Sequence, residues 1–136
     1  MNRSWIARRT LLVACLTFAA IGLGGCRQAT HTLTTADSGS LVIVDRGDVI
    51  AIRLSGNVST GYLWERTAPD ALVGAPLSPL DEGEYESLGS APGSPGLFVF
   101  RYAAVESGTV TLRFVHHRTW EDERPLGEVA FVVWVQ

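Results

Sequence analysis

Ser59, His116 and His117 are the side chains with which this 136-residue chain could attempt nucleophilic or metal chemistry. A serine nucleophile needs an activating context, and no Gly-x-Ser-x-Gly elbow surrounds Ser59. His116 and His117 are neighbours in a strand-like run. They therefore point to opposite faces and cannot both bind one metal ion through that strand. Glu82, Glu84, Glu86, Asp122 and Glu123 fall in loop-like sequence and read as solvated charge. The two cysteines, Cys15 and Cys26, both lie near the N-terminus. The sequence thus predicts no catalytic residue, no metal and no cofactor.

The chemistry left to the chain is recognition. Three segments do not look like minimal connections, since a simple chain reversal needs as few as about two to five residues of any turn-forming type. The first is "NVSTG", Asn57 to Gly61, directly before Tyr62-Leu63-Trp64. It also contains an Asn-x-Ser glycosylation acceptor. The second is "GSAPGSPG", Gly89 to Gly96. The third is "HRTWEDERPLG", His117 to Gly127, which places Trp120 in a charged loop. A large aromatic in an exposed loop is a typical binding anchor.

The segments that must hold these loops read as strands. "LVIV" (41–44) is a short apolar run, and "DVIAIRLS" (48–55) alternates Val49, Ala51, Arg53 with Ile50, Ile52, Leu54. "YLWER" (62–66), "LFVFRYAAV" (97–105), "GTVTLRFVHH" (108–117) and "EVAFVVWV" (128–135) are β-branched and aromatic. Their period is two, not 3.6. Pro69, Pro76, Pro79, Pro92 and Pro95 confine any strand between Thr67 and Leu97 to short or edge positions. Trp64, Phe100, Tyr102, Phe114 and Phe131 are expected in the core, whereas Trp134 could face either way. About seven or eight short strands without a disulfide predict an all-β, immunoglobulin-like β-sandwich.

Together the three loops resemble the chagasin family of cysteine-peptidase inhibitors, whose pattern is Asn-Pro-Thr-Thr-Gly-Tyr-x-Trp, then Gly-x-Gly-Gly, then Arg-Pro-Trp-Glu. Here the first stands as Asn57-Val58-Ser59-Thr60-Gly61-Tyr62-Leu63-Trp64. The second stands as Gly93-Ser94-Pro95-Gly96, shortly before Phe100-Arg101-Tyr102-Ala103, which is similar to a strand of the family. The third stands as Arg118-Thr119-Trp120-Glu121. Order and spacing match over residues 41–136. Val58 and Thr119 replace prolines, and Pro95 replaces a glycine.

The resemblance implies reversible, non-covalent occlusion of a papain-like cleft by loops at one end of a rigid sandwich. On that reading Asn57 to Gly61 enters the cleft, with Ser59 and Thr60 supplying hydroxyl hydrogen bonds. Trp120 stacks beside the cleft, Arg118 and Glu121 orient its loop, and Gly93 to Gly96 approach the opposite wall. The loss of proline at position 58 is expected to leave the first loop less fixed.

The N-terminus carries an export pattern. Arg3, Arg8 and Arg9 precede the apolar run Leu11 to Leu23, which is short for a spanning helix. Leu23-Gly24-Gly25-Cys26 resembles a bacterial lipobox, in which the cysteine becomes a lipid-bearing N-terminus. This predicts a signal peptide over 1–25, lipid on Cys26, a flexible tether over 26–40 and an inhibitor domain over 41–136. Arg27 in place of aspartate leans towards the outer membrane. All 11 basic residues are arginine and are outnumbered by 14 acidic ones, which argues against nucleic-acid binding. The expected partners are a papain-like cysteine peptidase and, through the lipid, a membrane, with the domain a monomer. The rival reading is a lipid-anchored immunoglobulin-like envelope module with a structural or protein-binding role and no inhibitory activity.

Overall fold

The computed structural model describes residues 27–67, 74–121 and 124–136. The expected signal peptide and Cys26 lie outside them, as do Pro69, Asp122 and Glu123. Among the described residues nine strands form: β1 (Thr30–Leu33), β2 (Leu41–Val44), β3 (Val49–Gly56), β4 (Leu63–Arg66), β5 (Leu77–Pro79), β6 (Glu84–Ser87), β7 (Gly96–Ala104), β8 (Gly108–His117) and β9 (Gly127–Val135). The first sheet runs β1-β3-β7-β5, with β6 also paired to β7; the second runs β2-β9-β8-β4. The expected all-β sandwich is the fold observed.

The alternation read from the sequence is what packs the two sheets. Ile50, Ile52 and Leu54 of β3 face Phe114 of β8 and Phe131, Val133 and Val135 of β9 in one cluster, and all are buried. Trp64, Phe100 and Tyr102 join them, and aromatic contacts link Phe100 to Phe114 (4.7 Å between centroids) and Phe114 to Phe131 (6.4 Å). Trp134 instead faces outward. β5 and β6 are short strands on the outer side of β7, as the prolines require.

The tether expected over 26–40 is corrected. Thr30–Leu33 pairs in parallel with Val49–Ile52, and Leu33 is buried. The Ala29 N–H donates to Asp48 Oδ1 (2.9 Å), and His31 Nε2 lies 2.8 Å from Asp48 Oδ2. Thr34 and Asp37 then cap a 3-10 turn at Thr35–Asp37 that leads into β2. Composition suggested a linker because threonine is polar. Threonine is also β-branched, and at alternate positions it suits an edge strand.

Strand direction gives the sandwich two distinct ends. The pairs Gly56↔Gly96, Leu63↔His117 and His116↔Gly127 gather the three long loops at one end. The pairs Thr30↔Val49, Val44↔Val135 and Gly108↔Val135 mark the other end, where the chain enters the fold.

Candidate functional site

The first loop is a closed 3-10 turn. Asn57 caps Val58–Thr60, and Gly61 ends it in the left-handed region at φ 80°. Asn57 Oδ1 accepts from the Ser59 N–H (3.0 Å) and from Ser59 Oγ (2.7 Å), while Thr60 Oγ1 donates to the Asn57 carbonyl (2.7 Å). Both hydroxyl protons are therefore directed into the loop. Val58 is the side chain presented at the tip, 42% exposed. These bonds also replace the missing proline as the source of rigidity at position 58.

The second and third loops brace the first. Asn57 Nδ2 donates to the Gly93 carbonyl (2.8 Å). The amide named by the glycosylation pattern is thus already engaged. Arg118 donates through Nε (3.1 Å) and Nη2 (3.0 Å) to the Thr60 carbonyl and through Nη1 to Glu121 Oε1 (2.8 Å). Its guanidinium lies over the Tyr62 ring, 4.4 Å from the centroid. Arginine suits this position because its planar fork can hold a carbonyl, a carboxylate and an aromatic face at once. Arg118 thereby ties the third loop to the first and to Glu121.

Trp120 leans on the first loop yet remains 67% exposed. A Cβ added to Gly61 would lie 2.6 Å from Trp120 Cη2. Gly61 is thus fixed by conformation and by close approach together. Thr119 is exposed beside Trp120.

The expected second-loop residues divide. Gly93 turns at φ 78°, and Pro95 is exposed. Ser94 Oγ donates to the Ala91 carbonyl (2.7 Å), and the Ser94 carbonyl accepts from the Tyr85 hydroxyl (3.2 Å). Gly96 belongs to β7 and is buried; a side chain there would strike the Tyr85 ring. It is glycine so that Tyr85 can cross the strand.

Several residues of this end were not singled out for binding in the sequence. An open hollow of about 550 Å³ lies between the loops, lined among others by Gly56, Asn57, Tyr62, Pro95, His116 and Leu126. Leu88 and Leu126 are exposed apolar residues at the same end. His116 stacks on Trp64 (4.7 Å, 7°) and meets Tyr62 edge-on (5.6 Å), and its Nε2 has no hydrogen-bond partner among the described residues. Burial holds its pKa below the ordinary histidine value, with the neighbouring His117 adding to the effect. His117 faces the other way and pairs with Glu65 at 2.8 Å. The only sequence signal for the hollow was an apolar Leu126 among charged residues.

The arrangement is one for contact, not for turnover. Val58 and Trp120 project from a braced set of loops, and backbone groups line the space between them. The family profile described as "Chagasin family peptidase inhibitor I42" matches residues 43–135. Amoebiasin-2 of Entamoeba histolytica is 25% identical over 109 residues, covering 79% of this chain and 87% of its own length. The crystal structure of the cysteine protease inhibitor EhICP2 from Entamoeba histolytica superposes with a TM-score of 0.70 at 25% identity, covering 82% of this chain and 100% of that one. PbICP-C, whose structure was solved in complex with falcipain-2, shares the fold with a TM-score of 0.53 at 16% identity, covering 84% of this chain and 96% of that one. The family is one of peptidase inhibitors, EhICP2 is described as a cysteine protease inhibitor, and this chain belongs to the chagasin family of peptidase inhibitors.

Proposed function

We propose that this protein inhibits papain-like cysteine peptidases reversibly and without covalent chemistry, by seating three loops across the active-site cleft. The observation that carries the reading is the bracing of the first loop. Gly93 holds it from one side and Arg118 from the other, so Val58 is presented on a pre-formed turn. A loop already fixed in its bound shape avoids much of the ordering cost of association. A narrow cleft admits the small residues of Asn57 to Gly61 beside the catalytic cysteine, and their 3-10 turn offers no extended strand to cleave. Trp120 covers apolar surface at the rim, and the backbone of Gly93 to Pro95 approaches the other wall. Three loops of this size suit an interface of about 800 Å² per partner. The export pattern and Leu23-Gly24-Gly25-Cys26 support a protein held in the bacterial cell envelope, on the outer membrane, by lipid on Cys26.

The test is a titration of papain and of a cathepsin L-type peptidase, following hydrolysis of a fluorogenic peptide. Inhibition at nanomolar concentration is expected. Trp120→Ala should weaken it by roughly 30-fold, an anchor contribution of about 2 kcal/mol, without lowering Tm. No inhibition at ~10 μM would overturn the reading in favour of an envelope-binding module.

A further inference from the structure

The outer face of the second sheet changes character along its length. Leu41, Ile43 and Trp134 are 57%, 48% and 42% exposed. Register places Ile43 beside Trp134 and Leu41 beside Val132, with Thr109 and Thr111 as the next neighbours on β8. These six outward positions carry no charge. Arg113 and Glu128 begin the charged part of the face, towards the three loops. Solvent-facing sheet surfaces normally alternate with polar side chains, and edge strands are normally guarded by charge. The edge strand β2 presents leucine and isoleucine instead.

The chain enters the sandwich at the same end. Ala29 is fixed there, its N–H on Asp48 and its carbonyl accepting from Val49 (2.8 Å). With β1 in place, two residues separate Ala29 from Cys26, three Cα steps that reach about 10 Å when extended. The apolar sequence Leu11 to Leu23 also precedes this point. An anchor of either kind, lipid on Cys26 or the retained apolar run, would hold this end close to a bilayer.

We propose that the uncharged half-face around Leu41, Ile43 and Trp134 rests on the membrane surface. This rests on the reading that the chain is anchored ahead of Arg27. Tryptophan favours the headgroup layer, where its ring is sheltered and its N–H stays wet. The contact is weak by itself and is made effective by anchoring, which turns it into an intramolecular event. Arg27 and Arg46 share this end with Asp45 and Glu106, so apolar area and not net charge drives it. The loops then sit at the far end of β8, roughly 30 Å away, clear of the bilayer and open to a peptidase.

The experiment reconstitutes the full chain, carrying Trp5→Phe because Trp5 lies in the anchor segment, into phosphatidylcholine vesicles with brominated acyl chains and follows tryptophan fluorescence. Quenching that Trp134→Phe removes and Trp120→Phe leaves, unchanged by added salt, is the expected result. Quenching indifferent to Trp134→Phe overturns the proposal. So does cross-linking of Ile43→Cys between copies on dilute vesicles, which would assign the face to a second copy of the chain. Flotation reads anchoring separately. A chain that does not float overturns the anchored reading and the proposal with it, whereas a chain that floats without Trp134-dependent quenching overturns the proposal alone.

Discussion

Gly61 concentrates the demands made on this molecule at the scale of one residue. Its backbone is left-handed at φ 80°, and the Trp120 ring occupies the space a side chain would need. Alanine there would cost about 1–2 kcal/mol for the backbone alone. It would also push Trp120 off the first loop. Gly61→Ala is therefore expected to weaken peptidase inhibition by at least tenfold while lowering Tm by roughly 5–10 °C, the backbone cost alone, since the core is untouched. Inhibition constants and thermal melts on the same preparation check this. Gly47 is also left-handed, at φ 96°, but has open space around it at the opposite end. Gly47→Ala should cost similar backbone energy and leave inhibition unchanged, which separates strain from lost contact.

At the scale of elements, β1 is the part of the fold that composition hid. Its removal would expose the β3 edge, strip Leu33 from the core and leave Asp48 without Ala29 and His31. Burial of one leucine is worth about 2 kcal/mol, which for a domain of this size is a Tm shift of roughly 10 °C. A chain beginning at Leu41 should melt lower by at least that much than one beginning at Arg27. Equal melting would show that β1 adds nothing. The longer strands were legible because a period of two sustained along a whole β-branched run fits a half-buried strand and no helix. β2 and β8 have the boundaries the sequence predicted. β1 was not legible because a short segment of mixed polarity declares itself only through β3 and Asp48. The same division runs through the site. Motif order located the loops, and Trp120 was readable as an aromatic out of place. The inward hydroxyls of Ser59 and Thr60 are local, closing on Asn57 within three residues, whereas the burial of Gly96 under Tyr85 and the hollow beside Leu126 depend on strand register, which no local pattern encodes.

The whole molecule responds to acid through its two ends. His116 sits beneath the loops, and burial keeps it neutral in the folded state below the ordinary histidine pKa of about 6.5. Its contribution to stability is complete above that value and is lost as pH falls, because the unfolded chain takes up the proton first. Asp48 lies at the opposite end, its carboxylate held below the ordinary range by His31, then by the backbone N–H groups of Ala29 and Asp45. Its contribution is likewise present above the ordinary carboxylate pKa and lost as pH falls through its lowered folded value. The two groups therefore act in separate windows, the loop end first and the chain-entry end only in stronger acid. Protonating His116 places a charge between Trp64 and Tyr62, the residues that support the first and third loops. Stability and affinity should decline together below about pH 6.5, and His116→Phe, which keeps the aromatic stack, should flatten both profiles in that window. Thermal melts and inhibition constants from pH 7.5 to 5 decide the matter, with the peptidase's own pH dependence measured in parallel. A mild-acid decline that survives His116→Phe would remove His116 as its cause.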